Sequence, residues 1–361
     1  MLLKERDCEN VLLKPGRKPA GRLLVVFAAA NAAKFTFYNS CRDLESDVLF
    51  IRDPNLNHWF QGGIFPGRDL LESVDDLKAL FTSYDYVATF GSSMGGYAAL
   101  AVGALAGVQR IVAIGPQTLL DPAFSRSPKS RVKLVLPDIS DILVGVESTE
   151  ATVLVGMLDG VDLFNSARMA DSRNLRTCLF RRGDHFLPKQ LSRSGALAEI
   201  LHFATEPRLQ KLTLAAGGYD EGHDVQSEAM QALMSALERL HRRQDYHGAR
   251  VVLRPLLKKR PVAPVLRYTW AAAAFKDELF DAALRELTPI ARRYDHCIEY
   301  NALCAEAALR CGDPELAVEC ARRVLAVRSS NERARQIVLG AGNLAINASD
   351  VQISVGLPPV G

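Results

Sequence analysis

Gly91-Ser92-Ser93-Met94-Gly95 sets a serine hydroxyl between two glycines in a G-x-S-x-G pattern. The apolar run Tyr86 to Phe90 before it reads as a buried strand, and Ala98 to Val102 after it reads as a helix. A strand turning sharply into a helix strains the backbone of the central residue, so residues two positions away must be small for the turn to close. Gly91 and Gly95 meet that demand, and Gly96 and Ala98 let the helix lie close to the sheet. Such a turn projects the Ser93 hydroxyl past the strand end. It also aims the Met94 amide at the same point, at a helix N-terminus that favours developing negative charge. Ser93 is the candidate nucleophile and Met94 a candidate oxyanion donor.

A serine hydroxyl is a weak nucleophile at neutral pH and needs an imidazole to take its proton, with a carboxylate on the other ring nitrogen to fix the tautomer. Two later apolar runs end in those residue types. Ala151 to Val155 leads into Gly156-Met157-Leu158-Asp159-Gly160-Val161-Asp162, and Leu175 to Phe180 leads into Arg181-Arg182-Gly183-Asp184-His185. Serine, acid and histidine therefore follow three strand-like runs in the order Ser93, Asp159 or Asp162, His185.

These residues need a scaffold that brings strand ends together. Arg22 to Phe27, Asp47 to Ile51, the run ending at Phe90, Arg110 to Ile114, and the two runs just named are short and rich in β-branched or apolar residues. A helical pattern, Leu70, Leu71, Val74, Leu77, Leu80 and Phe81, lies between the second and third. Continuous apolar runs suit strands buried on both faces, and their alternation with helices predicts an α/β domain with a mostly parallel sheet and flanking helices. In such sheets ligand sites form outside the carboxyl ends of the strands, where the three chemical groups fall.

The G-x-S-x-G turn, the G-x-x-D pattern from Gly156 to Asp159, and the Gly183-Asp184-His185 loop together resemble the α/β-hydrolase-fold serine hydrolases, over about residues 20 to 205. The resemblance implies Ser93 as nucleophile, His185 as general base and acid, and Asp159 as orienting acid. Asp162 is the alternative acid, its other role being to cap a helix starting near Leu163. The second oxyanion donor in that family comes from the loop after the first of these strands, here Ala28 to Ala33. Ala29 supplies that amide in this reading and Asn31 a side-chain donor; the loop departs from the H-G-G-G type. His58, in the aromatic and amide-rich segment Arg52 to Gly63, and Gln117, after the fourth strand, are candidate substrate-binding residues. The short span from Gln117 to Ala151 predicts a small lid and an open site.

Composition bounds the alternatives. The chain has 361 residues, 48% hydrophobic and 24% charged, enough for two domains. A net charge of +3 argues for neither nucleic acid nor an anionic membrane surface. No apolar run is long enough for a membrane span, and the first residues lack the apolar stretch of a signal peptide. Seven cysteines with no C-x-x-C pair read as reduced thiols of a cytoplasmic protein. Cys297, Cys304 and Cys311, seven apart, read as core positions on a helix rather than metal ligands; no metal and no cofactor are expected.

Beyond residue 210 the pattern changes. Residues 211–224 read as a linker, 225–346 as an all-α domain, and 347–361 as a poorly ordered tail, leaving 1–210 for the α/β domain. Ala249, Ala283 and Ala317 stand at a spacing of 34, as do Pro255 and Pro289 and the pair Leu253 and Leu287. With Ala271 and Ala305 as small positions of a first helix and Gly312-Asp313 as a turn, this period is similar to tetratricopeptide repeats, which implies a helix-turn-helix solenoid.

The expectation for the whole chain is a serine esterase that cleaves an ester or thioester of a small-molecule or acylated substrate through an acyl-enzyme. Two alternatives stay open: an acyltransferase on the same residues, and a non-enzymatic protein that binds a protein partner through its helical repeats.

Overall fold

The computed structural model describes residues 9–17, 21–121, 132–169, 172–215, 219–221, 227–258 and 263–340. The described residues divide into two compact units, 9–221 and 227–340. The first is built on an eight-stranded sheet in the order β1-β3-β2-β4-β5-β6-β7-β8. Its strands are β1 (Val11–Lys14), β2 (Arg22–Phe27), β3 (Asp47–Ile51), β4 (Tyr86–Ser92), β5 (Arg110–Ile114), β6 (Glu150–Gly156), β7 (Leu175–Phe180) and β8 (Tyr219–Glu221). From β3 across to β7 every neighbouring pair is parallel; only the edges β1 and β8 are antiparallel.

The six central strands are those the apolar runs predict. The edges are corrections. β1 is half exposed and too short to stand out from its surroundings, and β8 lies inside the segment read as a linker, where Tyr219 pairs with Phe180.

Alternation along the strands sorts the core into two layers. Leu24 and Val26 of β2 and Tyr86, Ala88 and Phe90 of β4 point to one face. There they join the buried side of α5 (Ala196–Thr205) and α4 (Leu187–Ser194), including Leu187, Leu191, Leu197, Ile200 and Leu201. The intervening residues point to the other face, where the Thr89 hydroxyl donates to Ala99 O of α2 (Met94–Ala106). Gly103 of α2 passes so close to Thr89 and Ile111 that a Cβ there would overlap both. α1 (Leu70–Phe81) packs against α2, its start fixed by a capping box between Asp69 and Glu72. α3 (Gly160–Ala167) follows β6. The unit is a mostly parallel sheet with helices on both faces.

The second unit is helical: α6 (Glu228–Glu238) with a π-helical turn at Arg239–Arg243, α7 (Tyr246–Leu257), α8 (Pro264–Lys276), α9 (Phe280–Arg293), α10 (Ile298–Arg310), α11 (Pro314–Val327) and α12 (Glu332–Gly340). Each helix packs on the next in sequence. α7, α9 and α11 begin at 246, 280 and 314, and α8, α10 and α12 at 264, 298 and 332, so both series keep the 34-residue step. Ala249, Ala283 and Ala317 are fully buried, as are Ala271 and Ala305, because small side chains there let the helices approach. Cys297, Cys304 and Cys311 fall at the start, middle and end of α10. The tail, residues 347–361, lies outside the described residues.

Candidate active site

Every residue from Tyr86 to Ala104 is buried except Ser93, which is half exposed. Its φ of 53° and ψ of −119° lie outside the regions that non-glycine residues ordinarily occupy. Gly91 and Gly95 make that turn feasible: a Cβ on Gly91 would run into the Gly95 carbonyl, and one on Gly95 into the Phe27 carbonyl at the end of β2. The Ser93 amide donates to Ile114 O at 2.9 Å, tying the turn to the end of β5. Met94 opens α2, so its amide is among those without an intrahelical acceptor.

The next residue along β5 leads to the acid. Gly115 has φ 51°, and a Cβ there would lie 2.8 Å from Asp162 Oδ2. Asp162 is buried, and both of its carboxylate oxygens lie 3.0 Å from Nδ1 of His185. The loops that carry the pair are stitched together: Met157 N donates to Phe180 O and Leu158 N to Gly183 O, both at 2.9 Å. Gly156 and Gly183 touch so closely that neither has room for a side chain. Asp184, also buried, accepts from Phe186 N and Gln190 Nε2 and so holds the entry to α4 just after His185.

The carboxylate that meets His185 is that of Asp162, the alternative acid of the sequence reading. Asp159 is the N-cap of α3, and its carboxylate accepts from Asp162 N at 2.8 Å. The capping role that spacing offered to Asp162 belongs to Asp159, and Asp162, one helical turn in, faces the histidine. Asp159, Asp162 and His185 place one donor atom each within 4.8 Å of one another, a grouping able to hold a cation. Two of those donors, however, are already spent on each other and the third caps α3.

The remaining candidates are placed as follows. The Ala29 amide donates to Thr36 Oγ1 at 3.2 Å, so the expected second oxyanion donor is engaged by a hydroxyl that the sequence did not single out. Asn31 is an exposed left-handed turn residue, φ 57°, whose amide donates to Leu56 O at 2.7 Å. His58 is half-buried, its amide held by Asp53 Oδ2 at 2.7 Å. The segment around it is partly folded into the core. Trp59, Phe60 and Gln61 are buried, with Trp59 and Phe60 at positive φ, and Gln61 donates to the Tyr97 hydroxyl on α2. Gln117 is buried and bonds back to Leu119 O at 3.0 Å. Part of the predicted short lid, residues 122–131, lies outside the described residues.

A cleft of about 890 Å³ runs past the end of β4. Its lining includes Ser92, Arg52, the Ala33 to Ser40 loop, and Pro188, Lys189, Ser192 and Arg193 of α4.

No protein-family model matches the chain, and no curated protein does either. Among solved structures it is similar to a variant of the capsule O-acetyltransferase of Neisseria meningitidis serogroup A in complex with CoA, at 14% identity and TM-score 0.42, covering 55% of this chain and 100% of that one. It is similar to Est1E from Butyrivibrio proteoclasticus at 11% identity and TM-score 0.41, covering 55% and 96% of the two chains. For MenH from S. aureus the values are 12% and 0.38, with 54% and 97% covered. Among the described residues, no helix is long and apolar enough to cross a membrane.

Proposed function

We propose that the first unit is a serine hydrolase acting on an ester or thioester through an acyl-enzyme. The observation that carries this reading is Ser93 itself, half exposed in an otherwise buried stretch and held at φ 53° at the end of β4, with Asp162 and His185 paired beyond the ends of β6 and β7 of the same sheet. A backbone strained at one serine and nowhere else along that strand and helix is difficult to account for by packing.

The chemistry follows from the donor pattern. His185 Nδ1–H donates to the Asp162 carboxylate, which leaves Nε2 as the basic nitrogen. Nε2 takes the Ser93 hydroxyl proton as Oγ bonds to the substrate carbonyl carbon, and the carbonyl electron pair moves onto oxygen. The Met94 amide stabilises that oxyanion, joined by the Ala29 amide when it exchanges Thr36 Oγ1 for the new and more negative acceptor. The oxyanion collapses, the bond to the leaving group breaks, and His185 returns the proton to the departing oxygen or sulfur. Water then attacks the acyl-enzyme by the same steps, with His185 as base.

For the second unit we favour a tetratricopeptide-like repeat, supported by the constant step between helix starts and by the buried alanines at equivalent positions.

The experiment is labelling of the purified full chain by a neutral fluorophosphonate. Covalent labelling of wild type, abolished in Ser93→Ala, supports the hydrolase. Absence of labelling in folded wild type, or undiminished labelling of Ser93→Ala, overturns it.

A further inference from the structure

Asp162, in the first turn of α3, is gripped from both directions along the chain. Ahead of it, the Asp159 carboxylate accepts from the Asp162 amide at 2.8 Å. Behind it, the Asn165 side chain, in a residue only 1% exposed, bonds to two different elements. Its Nδ2 donates to Val161 O at 2.8 Å, at the residue just before Asp162. Its Oδ1 accepts from Thr118 N at 2.6 Å and from Leu119 N at 3.1 Å, in the segment that leaves β5. The buried Thr118 hydroxyl closes the joint, 3.1 Å from both Oδ1 and O of Asn165. Backbone amides at one end and a backbone carbonyl at the other leave a single orientation for the carboxamide, since a flipped amide would set donor against donor and acceptor against acceptor.

Asparagine is a poor residue for a helix interior, and a buried carboxamide is costly unless it is paired. An apolar side chain would fill this position at lower cost, but it could not join α3 to the chain after β5. That chain is also the one that bounds the acid. It starts with Gly115, where a Cβ would lie 2.8 Å from Asp162 Oδ2. Asp162 and Asn165, one helical turn apart, thus face the same segment, Asp162 at Gly115 and Asn165 at Thr118 and Leu119. The Asp162 carboxylate in turn meets His185 Nδ1 with both oxygens at 3.0 Å. Its seat has Gly115 as one boundary and His185 as another, and the joint at Asn165 fixes how far α3 stands from the first of them.

Resting on the hydrolase reading, we infer that Asn165 is a positioning residue. By bonding α3 to the amides of Thr118 and Leu119 it holds the Asp162 carboxylate in register with His185 Nδ1, which keeps Nε2 as the basic nitrogen. It acts through Asp162 alone. A misplacement of about 1 Å in such a constellation can cost up to about 10²-fold in rate.

The test uses Asn165→Ser and Asn165→Ala in the purified full chain, with thermal unfolding as the control for folding. A serine can still bond back to the carbonyl four residues earlier but is too short to reach across to the two amides. In either folded variant kcat on an ester substrate should fall at least about tenfold with KM within about threefold of wild type. In an Asp162→Asn background the same substitution should change kcat by less than about twofold, because its only route to the chemistry is already cut. The proton NMR resonance of His185 Nδ1–H, assigned by its loss in His185→Ala, should be present in wild type and weakened or lost in both Asn165 variants. An unchanged resonance with unchanged kcat, a full tenfold loss that persists in the Asp162→Asn background, or failure of both variants to fold would each overturn the positioning role. A wild type that fluorophosphonate does not label removes the hydrolase reading instead, and the NMR comparison still reports whether Asn165 holds Asp162 against His185.

Discussion

Asp162 and His185 meet side chain to side chain at the carboxyl ends of β6 and β7, both carboxylate oxygens 3.0 Å from Nδ1, while Asp159 three residues earlier bonds to the backbone. The two acids therefore differ in what their loss does. Asp162→Asn keeps the shape but presents an amide that stabilises the wrong tautomer, and kcat on an ester substrate should fall by about 10³- to 10⁴-fold. Asp159→Asn retains an acceptor for the helix amide and should cost under about 1 kcal/mol of stability, with kcat within about tenfold of wild type. Kinetics on both variants, with thermal unfolding as the control, decide the matter; a larger kcat loss for Asp159→Asn would return the acid role to that residue.

Gly115 carries a second prediction. It stands at φ 51°, and a methyl group there would lie 2.8 Å from Asp162 Oδ2. Gly115→Ala both strains the backbone and pushes the carboxylate from the histidine, so kcat should drop by at least about tenfold, beyond any change in melting temperature. A variant that loses stability alone would show that the Asp162 position tolerates displacement.

The legible parts of this molecule were those written in local pattern. Six strands stood out because continuous apolar runs are the signature of strands covered on both faces, and the helical unit's step because alanines recur where helices touch. Which of the two acids meets His185 was not legible, since Asp159 and Asp162 lie on consecutive turns of the same segment and either can cap a helix. In the folded chain Asp159 caps α3 and Asp162 faces His185. β8 was missed because three residues pairing with one edge carry too little pattern to register. Thr36 was missed because its bond to the Ala29 amide, seven residues earlier in the same loop, follows from loop conformation rather than from any spacing the sequence shows.

At the opposite end of the sheet, Arg110 is a structural clamp. Its side chain is 3% exposed, donates to Phe203 O at 2.6 Å, Leu209 O at 2.7 Å and Glu206 O at 3.0 Å, and lies 4.3 Å from the Phe203 ring. These bonds satisfy carbonyls at the end of α5 and in the turn after it. Arg110→Met fills the space but leaves those carbonyls unpaired, and should destabilise the first unit by about 3 kcal/mol. Arg110→Lys should recover only part, because one ammonium cannot reproduce the planar fork. Denaturant unfolding measures both, and a lysine variant as stable as wild type would show that charge rather than geometry is what the site requires.

Tyr86, whose ring lies 6.0 Å from the Arg110 guanidinium, ties the same region to pH. Its hydroxyl donates to Ala204 O at 3.2 Å, and burial pushes its pKa up to about 12 against the partial opposition of Arg110. Below about pH 10 the phenol is neutral in folded and unfolded chains alike, and its contribution to stability is complete. Between about 10, where an unfolded tyrosine ionises, and about 12, the unfolded state sheds a proton that the folded state keeps, so stability falls as pH rises. Tyr84, held up to about 12 by burial and by its hydrogen bond to Asp47, acts in the same window. Tyr86→Phe should therefore lose less stability than wild type between pH 10 and 12, by on the order of 1 to 2 kcal/mol, while starting from a lower value at pH 8 because the bond to Ala204 is gone. Denaturant unfolding at pH 8, 10, 11 and 12 measures the two slopes. Equal slopes would mean that the folded phenol ionises as readily as the unfolded one, and that the ring's burial under α5 does not control its proton.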